Sequence, residues 1–390
     1  MGFVCKRCGN KDERYIGYKF GVPYCRKCIS FRDNNYISHS FLPIRDIKPY
    51  LKYPLSKEQE EISTSLLEEF KLSHNSLVHA VCGAGKTEIV LSVVSYALSL
   101  GLRVGFAIPR KDVVIEIYDR FKDIFPGLNV VSIYGGHTDV LQGDLLILTT
   151  HQLYRYKNYF DLLIVDEIDA FPFNGSSLLL YQLKESLRGN FIYMSATPSK
   201  EVLEEFNNSK NKKFELFIRF HRNPLPVPIK KRIIYPFSLV YLIIKIKKII
   251  KDDKSVFIFC PTIEIANRIY PICKLFISSI NVVHSKKEDR NNIIKDFKLG
   301  KYKALITTSI LERGVTVKDL QVIVLFADHP LFNKSTLIQI SGRVGRKIDA
   351  PGGEVIFVYE ELNNSIEECI KEIVSANRNL QEVLSKYGDK

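Results

Sequence analysis

Between positions 80 and 87 the chain reads Ala80-Val81-Cys82-Gly83-Ala84-Gly85-Lys86-Thr87, after the apolar run Val78 to Val81 and before a helical pattern from Glu88 to Leu98. A glycine-rich turn between a strand and a helix directs successive backbone N–H groups and a helix N-terminus at one spot, where a phosphate group can be held. Gly83, Ala84 and Gly85 would approach the phosphates with backbone, Lys86 would set a point charge against the β and γ groups, and the Thr87 hydroxyl would ligate Mg2+. Ala80 stands where the general pattern has its first glycine, which is tolerable if that residue avoids positive φ. The segment predicts bound ATP with Mg2+ and requires an α/β sheet to carry it.

The rest of the chain supplies two such sheets. Apolar runs at 78–81, 104–108, 130–133, 145–149, 162–165 and 191–194 alternate with helical patterns, as in a parallel sheet. A second series has strands at 256–259, 281–283, 304–307, 322–326 and 355–359, and the tail from Asn364 to Lys386 has helical periodicity. Between them Pro224, Pro226 and Pro228 fall at every second position and stiffen the backbone into an extended linker. The expected division is a cysteine-bearing segment 1–35, a connector 36–55 with Pro43, Pro49 and Pro54, a first lobe 56–215, a linker 216–231 and a second lobe 232–390.

Four of the eight cysteines fall in two pairs, Cys5 with Cys8 and Cys25 with Cys28, separated by sixteen residues. Two C-x2-C turns can place four thiolates tetrahedrally around Zn2+. The remaining Cys82, Cys260, Cys273 and Cys369 lack ligand spacing and read as ordinary thiols. Met1 runs into Cys5 without a leader and no apolar run is long enough to span a bilayer, which predicts a cytoplasmic protein. The Lys-interleaved stretch from Leu239 to Lys251 fits a helix opening the second lobe, the alternative being an interfacial anchor. The formal charge of +13 suggests a polyanionic partner, nucleic acid or an anionic membrane face, and the zinc segment carries eight Lys and Arg against three acidic residues.

Asp166-Glu167 closes the strand run Leu162 to Val165, eighty positions beyond Lys86. At the carboxyl end of a sheet that also holds the phosphate loop, Asp166 would hold Mg2+ and Glu167 would orient and deprotonate the water attacking the γ-phosphate.

With these residues the chain resembles the DEAD/DEAH-type superfamily 2 helicases: Ala80 to Thr87 as motif I, Asp166-Glu167-Ile168-Asp169 as motif II, Ser195-Ala196-Thr197 as motif III and Gln339 to Arg346 as motif VI. The resemblance covers roughly residues 53 to 360 and implies two tandem RecA-like parallel-sheet lobes behind an N-terminal four-cysteine zinc ribbon. The ribbon and the linker His221 to Pro228 are similar to those of the ComFA competence proteins of Gram-positive bacteria. It also implies roles. Arg343 and Arg346, read as three apart on a helix, would present guanidinium groups to the γ-phosphate, with Arg346 the stronger candidate for the finger, Gln339 contacting the nucleotide or its water, and Gln59 reading adenine. Strand contacts would come from Pro109 and Arg110, Thr150, Thr262, Thr307 and Thr308, and Arg313, with Ser195 and Thr197 coupling them to the nucleotide.

The activity these motifs imply is ATP-driven translocation on single-stranded DNA during natural transformation. Implied partners are a membrane DNA-uptake channel, other competence proteins and a second copy of the chain, with a peripheral place at the inner face of the membrane. Two alternatives stay open: a replication-restart, repair or RNA helicase, and a zinc-dependent nucleic-acid-binding scaffold whose nucleotide site acts only as a switch.

Overall fold

The computed structural model describes the chain outside residues 1–2, 6–8, 29–35, 170–175, 208–210, 309–310, 312–316 and 388–390. It divides into two compact units, Met1–Ala80 with Gly85–Leu216, and Val81–Ala84 with Phe217–Lys390.

The first unit opens with an antiparallel hairpin, β1 (Ile16–Lys19) and β2 (Val22–Cys25). Its main sheet is built from β3 (Ser76–Ala80), β4 (Val104–Ile108), β5 (Val130–Ile133), β6 (Leu145–Thr149), β7 (Phe160–Asp166), β8 (Leu187–Ser195) and β9 (Lys212–Leu216). The order is β5-β6-β4-β7-β8-β3-β9, with every pair parallel. Strands β4, β5 and β6 are buried along their whole length, which is why they read as unbroken apolar runs rather than alternating ones. The helix Lys57–Lys71 starts at a capping box, Ser56 accepting from the Gln59 backbone while Gln59 Oε1 accepts from the Ser56 N–H.

The connector 36–55 is an extended strap on this unit. Leu42 N–H donates to Gly101 O and Tyr50 N–H to Ile124 O, while buried Arg103 donates to Ser40 O, Ser40 Oγ and Gly143 O. His39 Nε2 and Arg188 Nη1 both reach the buried carboxylate of Asp161, and Arg45 pairs with Asp144. The strap thus satisfies buried polar groups that would otherwise cost about 1–3 kcal/mol each.

The second unit holds a six-stranded parallel sheet: β10 (Ile229–Arg232), β11 (Ser255–Phe259), β12 (Ile280–Val283), β13 (Ala304–Thr307), β14 (Leu320–Leu325) and β15 (Val355–Tyr359), in the order β10-β15-β14-β11-β13-β12. In the two parallel sheets, two strands lie outside the expected set, as do both strands of the N-terminal hairpin. β9 reads Lys-Lys-Phe-Glu-Leu, and β10, which crosses the end of the stretch read as linker, reads Ile-Lys-Lys-Arg with all four residues exposed. Both are edge strands, where one side meets water and charge replaces the apolar signature. The helix expected over 88–98 is two pieces, Lys86–Ile89 and Leu91–Ser99, and Leu239 to Lys251 lies in the helix Phe237–Lys251. No helix among the described residues is long and apolar enough to cross a membrane.

Candidate nucleotide and strand sites

The sheet order of the first unit assembles the nucleotide residues. β8 lies between β3 and β7, so the loop after β3 and the acidic end of β7 share one rim, with Asp166 opposite Met194 and His79 opposite Ser195. Gly83 and Gly85 have φ of +85° and +80°, a region that favours glycine. Lys86 opens the helix after Gly85, and its Nζ lies 4.0 Å from Asp166 Oδ1. Thr87, the next residue, is buried, and its hydroxyl and the Asp166 carboxylate are hard-oxygen donors of the kind that suit Mg2+. A Cβ added to Gly85 would fall 2.4 Å from Gln59 Nε2. Gln59 is therefore no surface residue: it is buried, its Oε1 is held by the helix cap, and its amide nitrogen lies against the phosphate loop.

Glu167 sits at φ +60°, a left-handed conformation that a non-glycine residue adopts at a cost of about 1–2 kcal/mol. Its N–H donates to Met194 O, which ties the turn to β8. Two residues on, Asp169 accepts from both coupling candidates: from Ser195 Oγ through Oδ1, and from Thr197 Oγ1 through Oδ2 at 2.7 Å. Thr197 N–H donates to Ser195 Oγ at 2.9 Å, closing the network. Sequence alone places Asp169 in its motif and assigns it no role. The acidic turn and the Ser-Ala-Thr loop form one hydrogen-bonded body.

The strand-contact candidates gather on neighbouring strand ends. In the first unit β4 pairs with β6, Ile108 opposite Thr149, which sets Pro109 and Arg110 beside Thr150. Thr150 is fully buried, and the contact its position can offer is backbone. In the second unit β11 pairs with β13, Phe259 opposite Thr307, and Cys260 N–H donates to Thr307 O at 2.7 Å. Thr262 caps the helix Ile263–Phe276 by accepting from Ile265 N–H, and Thr307 and Thr308 are buried. Arg313 lies outside the described residues.

Motif VI departs from expectation in one respect. The helix Lys334–Ser341 carries buried Gln339, but it ends at Gly342, so Arg343 and Arg346 lie on the turn that follows and not on one helical face. Gly345 turns the chain at φ +67°. Arg343 is buried, and Arg346 Nε donates back to Gly342 O. The turn is held by a residue outside the motif. Arg219 is 1% exposed and donates from Nη1 to Val344 O and Gly345 O, each at 2.8 Å. Burial, with the nearby charge of Arg346, lowers its pKa to about 10, still well above neutrality. His221 Nε2 donates to the same Gly345 O at 2.8 Å. No sequence pattern marks Arg219, a lone arginine more than a hundred residues from the turn it holds.

Among the cysteines, Cys5, Cys25 and Cys28 come together with their sulfurs within 4.8 Å of one another, all buried, and Cys8 lies outside the described residues. Cys5 Sγ and Cys28 Sγ are 3.5 Å apart, close to the sulfur separation of a tetrahedral zinc thiolate site at about 2.3 Å per bond. Burial raises Cys260 and Cys273 well above the ordinary thiol range, in keeping with buried thiols that do no chemistry.

Residues 52–200 match the family described as type III restriction enzyme, res subunit, and residues 241–347 match the helicase conserved C-terminal domain. Solved structures agree on the fold: the Saccharomyces cerevisiae protein Dbp5 bound to RNA and ADP BeF3 superposes with a TM-score of 0.61 at 15% identity, covering 85% of this chain and 97% of that one. RecG bound to a three-way DNA junction gives 0.59 at 18% identity, covering 86% and 47%. Two parallel sheets with these motifs define a superfamily 2 helicase-type motor. Over 96% of its length the chain is 33% identical to the competence protein ComFA of Bacillus subtilis, covering 86% of that protein, and 35% identical to ComFA of Streptococcus pneumoniae, covering 90%. It belongs to the ComFA family of competence proteins.

Proposed function

We propose that the protein hydrolyses ATP to move along single-stranded DNA and draws it into the cell during competence. The observation that carries this is the placement of Lys86 4.0 Å from Asp166 on the rim that also holds Glu167. Lys86 and the backbone of Gly83, Ala84 and Gly85 bind the phosphates, and Thr87 and Asp166 would hold Mg2+, whose positive charge would offset that of the phosphates. Glu167 takes the proton of the attacking water, and Arg346 stabilises the charge that develops on the γ-phosphate. The bond from Asp169 to Thr197 supports a coupling role for the Ser-Ala-Thr loop, since a change at the acidic turn must be felt there. Cys5, Cys8, Cys25 and Cys28 bind one Zn2+.

The expected site of action is the cytoplasmic face of the membrane, beside an uptake channel and other competence proteins. The test is ATP turnover with and without DNA. Single-stranded DNA should stimulate wild-type turnover, Lys86→Ala should abolish it, and Glu167→Gln should lower kcat by about 100-fold while nucleotide still binds. Absence of stimulation, or stimulation by RNA or forked duplex instead, would overturn the reading.

A further inference from the structure

The tip of the zinc segment carries an aromatic cluster that serves no packing purpose. Hairpin β1–β2 turns at Phe20-Gly21, and Tyr18, Phe20 and Val22 are 70%, 94% and 65% exposed. Three large apolar side chains around one turn, with so little of them covered, contribute almost nothing to the stability of the segment. The core lies elsewhere, where the buried thiols pack against Phe3 and Leu178.

The backbone of the turn sharpens the point. Phe20 has φ +51° and Gly21 φ +76°, the left-handed pair that a two-residue hairpin turn favours Asn-Gly for. A bulky ring at the first position is strained, by an amount on the order of 1–2 kcal/mol. Phe20 is thus held at the tip at a cost to the fold.

Around these rings the charge is positive. Lys19 Nζ lies 5.9 Å from the Phe20 ring centroid and Lys27 Nζ lies 4.4 Å over the Tyr15 ring, while Asp12 is paired with Arg14. Exposed rings interleaved with cations suit a polyanion that also presents flat aromatic faces, which is single-stranded nucleic acid. A duplex hides those faces in its stack and would leave the rings nothing to cover.

We infer that the β1–β2 tip is a strand-docking site at which Phe20 and Tyr18 stack on unpaired bases of DNA while Lys19 meets the phosphates. The inference rests on the single-stranded DNA reading and adds to it a contact on the zinc segment, apart from both nucleotide motifs.

The sequence contains no tryptophan, so Phe20→Trp in the full-length protein gives one fluorescent reporter at the tip. With oligo-dT as the probe, its emission should be quenched on binding. Phe20→Asn removes the ring and suits the turn better. It should weaken oligo-dT binding about tenfold at unchanged basal ATP turnover and zinc content. Lys19→Ala should flatten the dependence of log affinity on log salt by about 0.7. If wild-type protein binds oligo-dT and is stimulated by it, yet the emission of the Phe20→Trp variant stays constant and Phe20→Asn binds normally, the inference is wrong and the tip serves another partner. If wild-type protein ignores oligo-dT altogether, the single-stranded DNA reading fails with it.

Discussion

The guanidinium of Arg219 donates to the carbonyl oxygen of Gly345, at the turn that follows the motif VI helix, over a distance of 2.8 Å. Because the same nitrogen also reaches Val344 O, one buried side chain fixes the path of the backbone that leads into Arg346.

Arg219→Gln should therefore act on turnover more than on binding. Losing the bonds takes from Val344 O its buried donor while Gly345 O keeps His221, a cost of about 1–3 kcal/mol, and a measurable drop in melting temperature is expected. If the finger is Arg346, kcat should fall about tenfold with the KM for ATP little changed, and the loss should vanish in an Arg346→Ala background. Steady-state kinetics of the two single variants and the double variant check this.

Gly85→Ala tests the phosphate loop without touching a charged residue. Its φ of +80° and the 2.4 Å approach of Gln59 Nε2 both oppose a Cβ. Nucleotide binding should be lost, as read by the quenching or anisotropy of a fluorescent ATP analogue. Gln59→Gly in the same chain removes the clash but neither the φ penalty nor the need for the side chain that caps the helix and is assigned to adenine, so it should not restore binding.

Stability should decline as pH falls below neutrality, and His221 contributes. Burial, with the charge of Arg219, lowers its pKa below the ordinary 6.5. Its ring accepts from Asn223 N–H at Nδ1 and donates to Gly345 O at Nε2, which defines the neutral tautomer. With the folded pKa below the unfolded one, the unfolded chain binds more protons in the window beneath 6.5, so stability present above that value is lost as pH drops through it. Thermal unfolding followed between about pH 7.5 and 5.5 should show this slope, flatter in His221→Gln.

Zinc removal should act locally. The buried thiols pack against Phe3 and Leu178, and a Cβ at Gly9 would strike the Tyr181 ring, so the cluster is seated on the first unit without being part of its main core. Cys25→Ser should lower bound zinc from one per chain, by elemental analysis, and open the first 35 residues to proteolysis. ATP binding should persist.

The loop after β3 and the acidic end of β7 are legible in the sequence because their signal is local: a few adjacent residues at the ends of regular elements carry it. Strands β4, β6 and β13 stand where the apolar runs placed them, since burial on both faces leaves no room for polar residues. What escapes a sequence reading is non-local or exposed. Arg219 gives no periodic signal, and the bonds of Asp169 depend on which strand lies beside β7. The end of the helix before Arg343 is marked by Gly342, a quieter signal than the three-residue spacing of the arginines that suggests a continuous helix.

The charged edge strands have a consequence for the chain while it is being made. An open sheet edge offers unpaired backbone groups to any other strand in reach, and partly folded chains on neighbouring ribosomes offer many. β9 meets that risk with Lys212, Lys213 and Glu215, and β10 with Lys230, Lys231 and Arg232, all on or beside exposed positions. Two chains that meet edge to edge at β10 bring like charges together and separate. The same lysines that hide these strands from a pattern search keep newly made molecules from polymerising.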